Sequence, residues 1–235
     1  MDYKYYIDTE KIECEIRNFG LFSFRRVIKI PFNDATTINK KAVFIMMNPS
    51  KANGDESDIT VDRILAYAHD RSQYSEVVIL NTISLYDSNS NSAKQSIKKA
   101  EDSMGKKAFK EEQNLNIEVI EKVLKNLCKD DDVYMATGNP LPTYGTTAIK
   151  KIYDCFCKNK SVFSFKSVRE DSTNSKKTTV RGFTFHPSRQ HDSFFEENNK
   201  FDFIITGYGN KRTRINDANI VRSLVRIQQE PYERI

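Results

Sequence analysis

Three short apolar runs, each ending at an asparagine or a glycine, constrain the fold of this 235-residue chain more than any other feature. The runs are AVFIMMNP from Ala42, EVVILN from Glu76 and VYMATGN from Val133. Hydrophobicity that is continuous rather than alternating is typical of strands buried on both faces. Segments with helical spacing lie between the runs. The sequence therefore predicts an α/β fold with a central, mostly parallel sheet covered by helices on both faces.

The remaining segments fit a single predicted domain over residues 1–235. Two β-rich stretches around Asn18-Phe19-Gly20 favour an N-terminal antiparallel hairpin over residues 11–32. Residues 42–190 are expected to form the core that carries the pocket, and residues 195–235 to form a C-terminal extension. We expect Ser57 or Asp58 to cap a helix that ends near Arg71. Helices are also expected at 115–127 and 143–157, a loop and solvated helix start at 88–112, and further strands in SVFSFKSV, TTVRGFTF and FDFIITGYG.

Composition places the chain among intracellular globular proteins. Its hydrophobic content is 38%, and 15 Phe and 11 Tyr supply the bulky side chains that disordered chains lack. We expect a cytoplasmic protein, because the N-terminus is too polar for a signal peptide and no stretch approaches the roughly 20 apolar residues of a membrane helix. Four Cys and three His show no zinc spacing, so neither a metal nor a cofactor is predicted.

Polar residues stand where each predicted strand ends. Asn48-Pro49-Ser50 follows the first run, Asn81 closes the second, Gly138 follows the third, and His186-Pro187-Ser188-Arg189 follows TTVRGFTF. Ligands of open α/β sheets bind outside the carboxyl ends of the strands. We therefore expect these residues to share one pocket.

The side chains of these segments favour recognition of a polar ligand. The amide of Asn48 can hold a water through its carbonyl oxygen or read a base edge. His186 can donate a hydrogen bond to a carbonyl or an oxyanion, Ser188 can bind a phosphate, and Arg189 can bind a phosphate or stack on a base. For each residue an ordinary structural role, such as a turn at Asn-Pro, is the alternative.

Basic residues offer a second kind of contact. Arg63, in the first turn of the predicted helix, can reach a phosphate or pair with Asp58. Arg222 and Arg226 share one helical face and can follow a phosphate backbone, although a solvated amphipathic helix explains them equally well. The net charge of +5 permits a nucleotide or nucleic-acid partner, and it also fits plain surface solubility.

Taken in order, IMMNPS, VVILNT, VYMATGN and FHPS resemble the motifs of the uracil-DNA glycosylase superfamily. The Asn-Pro form of the first motif is similar to that of the mismatch-specific thymine and uracil glycosylases. The resemblance implies a three-layer α/β domain. It also implies that Asn48 positions water, that Asn81 reads the base and that His186 bonds the base oxygen.

NPSKAN and the downstream D-x-T-x-x-R look closer still to an uncharacterised family of small bacterial and phage proteins. That family is marked by Leu-Asn-Pro-Ser-x-Ala-Asp and a later His-Pro, and the resemblance covers about residues 12–190. Asn53 stands here in place of the usual Asp.

Two departures from active glycosylases bear on function. Arg189-Gln190 follows His-Pro-Ser where those enzymes usually place an apolar wedge, and no aromatic residue directly follows Pro49. Three hypotheses stay open. The chain is a hydrolase of N-glycosidic bonds in DNA or nucleotides, a non-catalytic binder of a nucleotide or modified base in phage defence or counter-defence, or a partner-binding protein that uses the basic C-terminal helix.

Overall fold

A computed structural model describes residues 1–34, 39–87, 92–128, 130–138, 141, 143–155, 161–164 and 203–204. The strands are β1 (Glu13–Phe19), β2 (Phe22–Pro31), β3 (Lys41–Met46), β4 (Glu76–Asn81), β5 (Asp132–Met135), β6 (Ser161–Ser164) and β7 (Phe203–Ile204). The helices are α1 (Ile59–His69), α2 (Ala93–Met104), α3 (Lys106–Lys125) and α4 (Tyr144–Cys155), with a short 3-10 helix at Thr9–Lys11.

The strands form one mixed sheet in the order β1-β2-β4-β3-β5-β6-β7. Its centre is parallel, because β3 pairs with β4 and β5, and β5 pairs with β6, in parallel. Both edges are antiparallel. The expectation of a mostly parallel sheet therefore holds only for the centre. The predicted N-terminal hairpin is confirmed, but it is built into the sheet through the pairing of β2 with β4.

Helices pack on both faces of the sheet, which explains the continuous apolar runs. Phe44 and Ile79 join Ile64 of α1 in a core on one face. Val43 and Leu80 join Ile120 of α3 in a core on the other face, which α4 also covers. Because neighbouring residues of β3 and β4 alternate between two cores, neither strand has a solvent-facing side.

Helix α2 goes beyond the sequence-based expectation of a loop and a solvated helix start at 88–112, because it is a separate helix before α3. Its apolar residues are Ala93, Ile97, Ala100 and Met104, spaced three or four apart among Ser, Lys and acidic residues. They pack with Phe24 and Phe109 in a third cluster. The stripe is narrow and partly made of alanine, so the segment is strongly polar overall although its apolar residues keep helical spacing. Gly105, with φ +86°, separates α2 from α3.

A register shift in the hairpin separates two adjacent arginines. Glu15 pairs with Val27 and Ile16 pairs with Arg25, so Arg26 of β2 has no partner in β1. An extra residue of this kind locally changes the direction in which side chains point. Arg26 bonds Glu112 of α3, whereas Arg25 bonds the main chain of Ala52, before α1. The two side chains therefore serve different parts of the molecule.

Candidate functional site

The connections of the parallel strands create a topological switch point. β3 continues through α1 to β4 on one side, and β5 continues through α4 to β6 on the other. α1 and α4 contribute to cores on opposite faces of the sheet. The carboxyl ends of β3 and β5 therefore flank the position where open α/β sheets bind ligands.

The structure brings three of the predicted segments to this edge. Asn48-Pro49-Ser50 follows β3, Gly138 lies three residues beyond the end of β5, and Asn81 is the last residue of β4, paired with Met46. His186, Ser188 and Arg189, and the C-terminal extension apart from β7, lie outside the described residues.

Asn48 is half-buried and its amide has a defined orientation. Its Nδ2 donates to the carbonyl oxygen of Asp87 at 2.6 Å and to that of Pro49 at 3.3 Å. Both partners are acceptors, so they require the nitrogen, not the oxygen, at this position. The Oδ1 atom makes no hydrogen bond within the described part of the chain. Asn48 therefore offers a hydrogen-bond acceptor at the switch point.

Asp58 organises the loop that carries this motif. Its Oδ2 accepts hydrogen bonds from the Ser50 hydroxyl and from the amides of Lys51 and Ala52, the latter two at 3.1 and 2.9 Å. Its Oδ1 caps α1, as expected for one of the two predicted cap residues. Burial alone would raise the pKa of this carboxyl group, but the hydrogen bonds stabilise the ionised form and lower the pKa below its usual value.

Side chains from distant parts of the chain hold the next segment of the loop. Arg25 Nη1 donates to the carbonyl oxygen of Ala52 at 2.6 Å, and the Tyr86 hydroxyl donates to the same oxygen at 3.1 Å. The Tyr3 hydroxyl donates to the carbonyl oxygen of Asn53 at 2.7 Å. Asn53 Oδ1 accepts two main-chain amides, which is a turn that an Asp would also support. The loop is thus held by Asn53 of its own sequence together with side chains from three distant parts of the chain.

Asn81 is fully buried. Its Oδ1 accepts a hydrogen bond from Arg25 Nη2 at 3.1 Å, and its main-chain carbonyl accepts one from Asn116 Nδ2 at 2.9 Å. Its Nδ2 has no hydrogen-bond partner within the described ranges. The residue predicted to read a ligand therefore has one donor unused and its acceptor bound to Arg25.

Sequence reasoning missed Arg25, which is also fully buried. No carboxylate pairs with it among the residues that the structure describes. Burial raises the pKa of the neighbouring Tyr86 to about 12, and the positive charge of Arg25 only partly opposes that shift. A signal was present in the sequence. Consecutive side chains of a strand point to opposite faces, so two adjacent arginines in an apolar strand cannot both lie on the same face of the sheet.

Two more of the predicted residues, Gly138 and Arg63, lie within the described ranges. Gly138 is buried with φ +64°, a backbone conformation that favours glycine. Arg63 is half-buried in the first turns of α1. Asp58 was one predicted partner of Arg63. The donors that hold the Asp58 carboxylate are instead those of the loop and of the helix cap, which contact both of its oxygens.

Two kinds of feature are absent from the described residues. These residues contain no group of three or more His, Cys, Asp or Glu side chains that could hold a metal ion. None of their helices is both long enough and apolar enough to cross a membrane.

The comparisons with known proteins give one finding. The model of a family described as a protein of unknown function (DUF1643) matches residues 32–188. This range runs from the end of β2 past the Asn48 loop, Asn81 and Gly138 to the His186-Pro187-Ser188 motif. No curated protein and no solved structure matches the chain.

Proposed function

The chain belongs to this family of unknown function, DUF1643, and we propose that it recognises a nucleobase at the carboxyl edge of its sheet and hydrolyses an N-glycosidic bond with a water held by Asn48. The observation that carries the proposal is the orientation of the Asn48 amide. Two carbonyl oxygens bind its nitrogen, so its oxygen is left to accept a hydrogen bond from water. The order of the motifs, which resembles that of uracil-DNA glycosylases, supports the same assignment.

In the proposed reaction Asn48 positions a nucleophile but does not remove its proton. A neutral amide is a very weak base, so the bond between the sugar and the base must be largely broken before water attacks an oxocarbenium-like sugar. The electron pair of that bond leaves with the base. The water oxygen bonds to the sugar carbon, one water proton stays on the new hydroxyl group, and the other ultimately neutralises the base.

The negative charge on the departing base then needs hydrogen-bond donors. Asn81, with its unused Nδ2, lies at the same sheet edge. His186, which lies outside the described residues, is the donor that the resemblance implies. Together they would read the base and stabilise it as it leaves.

A non-catalytic nucleotide or base binder is the second candidate. Two acidic residues contact the Asn48 loop, Asp58 through its side chain and Asp87 through its main chain. Their carboxylates accept hydrogen bonds from Ser50 and Ser92 respectively, and these structural roles favour binding without catalysis. A stable ligand that survives incubation unchanged would favour this function.

The test is base release from a panel of modified-base DNA and free nucleotides, followed by mass spectrometry. The wild-type chain is expected to release at least one base. Asn48→Ala should abolish release while retaining substrate binding, because the lost oxygen acts on water rather than on the base.

Asn53→Ala is the matched control, since it loosens the same loop and leaves the Asn48 amide in place. It is expected to retain most of the activity. Equal activity in Asn48→Ala and wild type, or equal losses in the two variants, would overturn the role given to Asn48.

A further inference from the structure

Two buried hydrogen-bond donors, one on β2 and one at the end of β4, have no partners among the described residues. They are Arg25 Nε and Asn81 Nδ2, and neither bonds any of the residues that the structure describes. They belong to side chains that are already joined, because Arg25 Nη2 donates to Asn81 Oδ1 at 3.1 Å. Unused buried donors carry a desolvation cost, so such a pair needs an explanation.

The charge of Arg25 makes the case stronger. The next residue, Arg26, keeps 14% of its side chain exposed and still receives carboxylates from both Glu112 and Glu15. Arg25 is fully buried, and the described residues offer it a main-chain carbonyl, a neutral amide and the ring of Tyr86 at 5.7 Å, but no carboxylate. A buried cation is normally paired with an anion.

Arg25 also determines what Asn81 can recognise. A guanidinium group only donates, so its contact occupies Asn81 Oδ1 and leaves Nδ2 as the unused group of the amide. The unused groups of Arg25 and Asn81 are both donors, although the neighbouring Asn116 also has an unused buried Oδ1. The Arg25–Asn81 pair by itself therefore favours a hydrogen-bond acceptor.

We propose that Arg25 and Asn81 form a subsite for a ligand oxygen that carries full or partial negative charge. The inference rests on the proposed function in placing the ligand at this sheet edge. Two sources have this chemistry, a phosphate oxygen and an exocyclic oxygen of a nucleobase. In either case the oxygen accepts from both donors and supplies the negative charge that Arg25 lacks.

Isothermal titration of the full chain tests the proposal with two sets of probes. Inorganic phosphate and ribose 5-phosphate represent the first source. Uracil against cytosine, and hypoxanthine against adenine, represent the second, because each pair exchanges an oxo group for an amino group. Arg25→Met is compared with Lys29→Met, which removes a positive charge from the same strand at a partly exposed pair with Glu13.

Either of two results supports the subsite. In the first, Arg25→Met weakens phosphate binding roughly 10- to 100-fold. In the second, wild type binds the oxo-bearing base of each probe pair more tightly by a similar factor, and Arg25→Met abolishes that preference. Lys29→Met retains wild-type binding in both cases. General loosening of the fold would weaken the binding of both bases in a probe pair. The ratio of their two affinities therefore separates recognition from a structural role.

The proposal is wrong if wild type binds none of the probes, or if Arg25→Met binds them all as wild type does. Should circular dichroism show Arg25→Met to be unfolded, Arg25→Lys takes its place, since it keeps the charge but loses the planar guanidinium group. All these measurements report equilibrium binding affinities. They are therefore independent of base release, which tests the role of Asn48.

Discussion

Replacing Asp58 with alanine tests whether its carboxylate stabilises the loop that carries Asn48-Pro49-Ser50. The change removes the cap of α1 and the acceptor for Ser50 and for two loop amides. A lost cap costs about 1 kcal/mol, and hydrogen bonds to a charged group contribute about 1.5–3 kcal/mol each before non-additivity. Taking the loop contacts as one coupled unit, we expect a total of about 3 kcal/mol.

Thermal unfolding followed by circular dichroism measures this loss. For a chain of this size, about 3 kcal/mol corresponds to a decrease in Tm of roughly 6–12 °C. Asp55→Ala is the matched control, because Asp55 lies exposed in the same loop. Its Tm should stay within a degree or two of wild type, as surface substitutions usually change stability by less than about 0.5 kcal/mol.

The pH dependence supplies an independent check. Hydrogen bonds lower the pKa of Asp58 in the folded state, so its stabilisation is fully present above the unfolded pKa and is lost as pH falls through the folded one. The difference in Tm between wild type and Asp58→Ala should therefore shrink below about pH 4. A decrease no larger than that of Asp55→Ala, or a difference that persists unchanged into strong acid, would refute the reasoning.

Two further predictions concern buried polar groups away from the Asn48 loop. The hydroxyl group of Tyr74 bonds Asp132 at 2.5 Å and Tyr134 at 2.7 Å. Tyr74→Phe should therefore lower the free energy of unfolding in urea by about 1–3 kcal/mol. An unchanged urea midpoint would contradict a stabilising role for this network. Arg26→Met should lower the free energy of unfolding by about 1–3 kcal/mol, because the buried carboxylate of Glu112 loses one of its two arginine partners and keeps Arg17. A loss below about 1 kcal/mol in chemical unfolding would show that this ion pair is not needed.

The central strands could be predicted because their signal is local. Residues between two helical layers are apolar on both sides, and β3, β4 and β5 show this as uninterrupted runs. The cap at Asp58 was predictable for the same reason, since a cap and its helix are adjacent in sequence. Asn-Pro and Gly after the strands marked the sheet edge by their turn chemistry.

What could not be predicted depends on contacts between distant segments. The pairing of β2 with β4 places the hairpin inside the sheet, and no local pattern in residues 11–32 specifies that neighbour. Arg25 and Asn81 are 56 residues apart, and only the register of the sheet brings them together. Their contact narrows the expected role of Asn81, from reading the base to presenting a donor.

The measurement that tests the central claim most directly is base release in heavy-oxygen water with the substrate that the panel identifies. If a water held by Asn48 attacks the sugar, mass spectrometry will find the heavy oxygen in the sugar product and an unlabelled free base. Asn48→Ala will form neither product. A labelled base would instead indicate attack on the base itself, and absence of any product across the panel would contradict hydrolysis at this site.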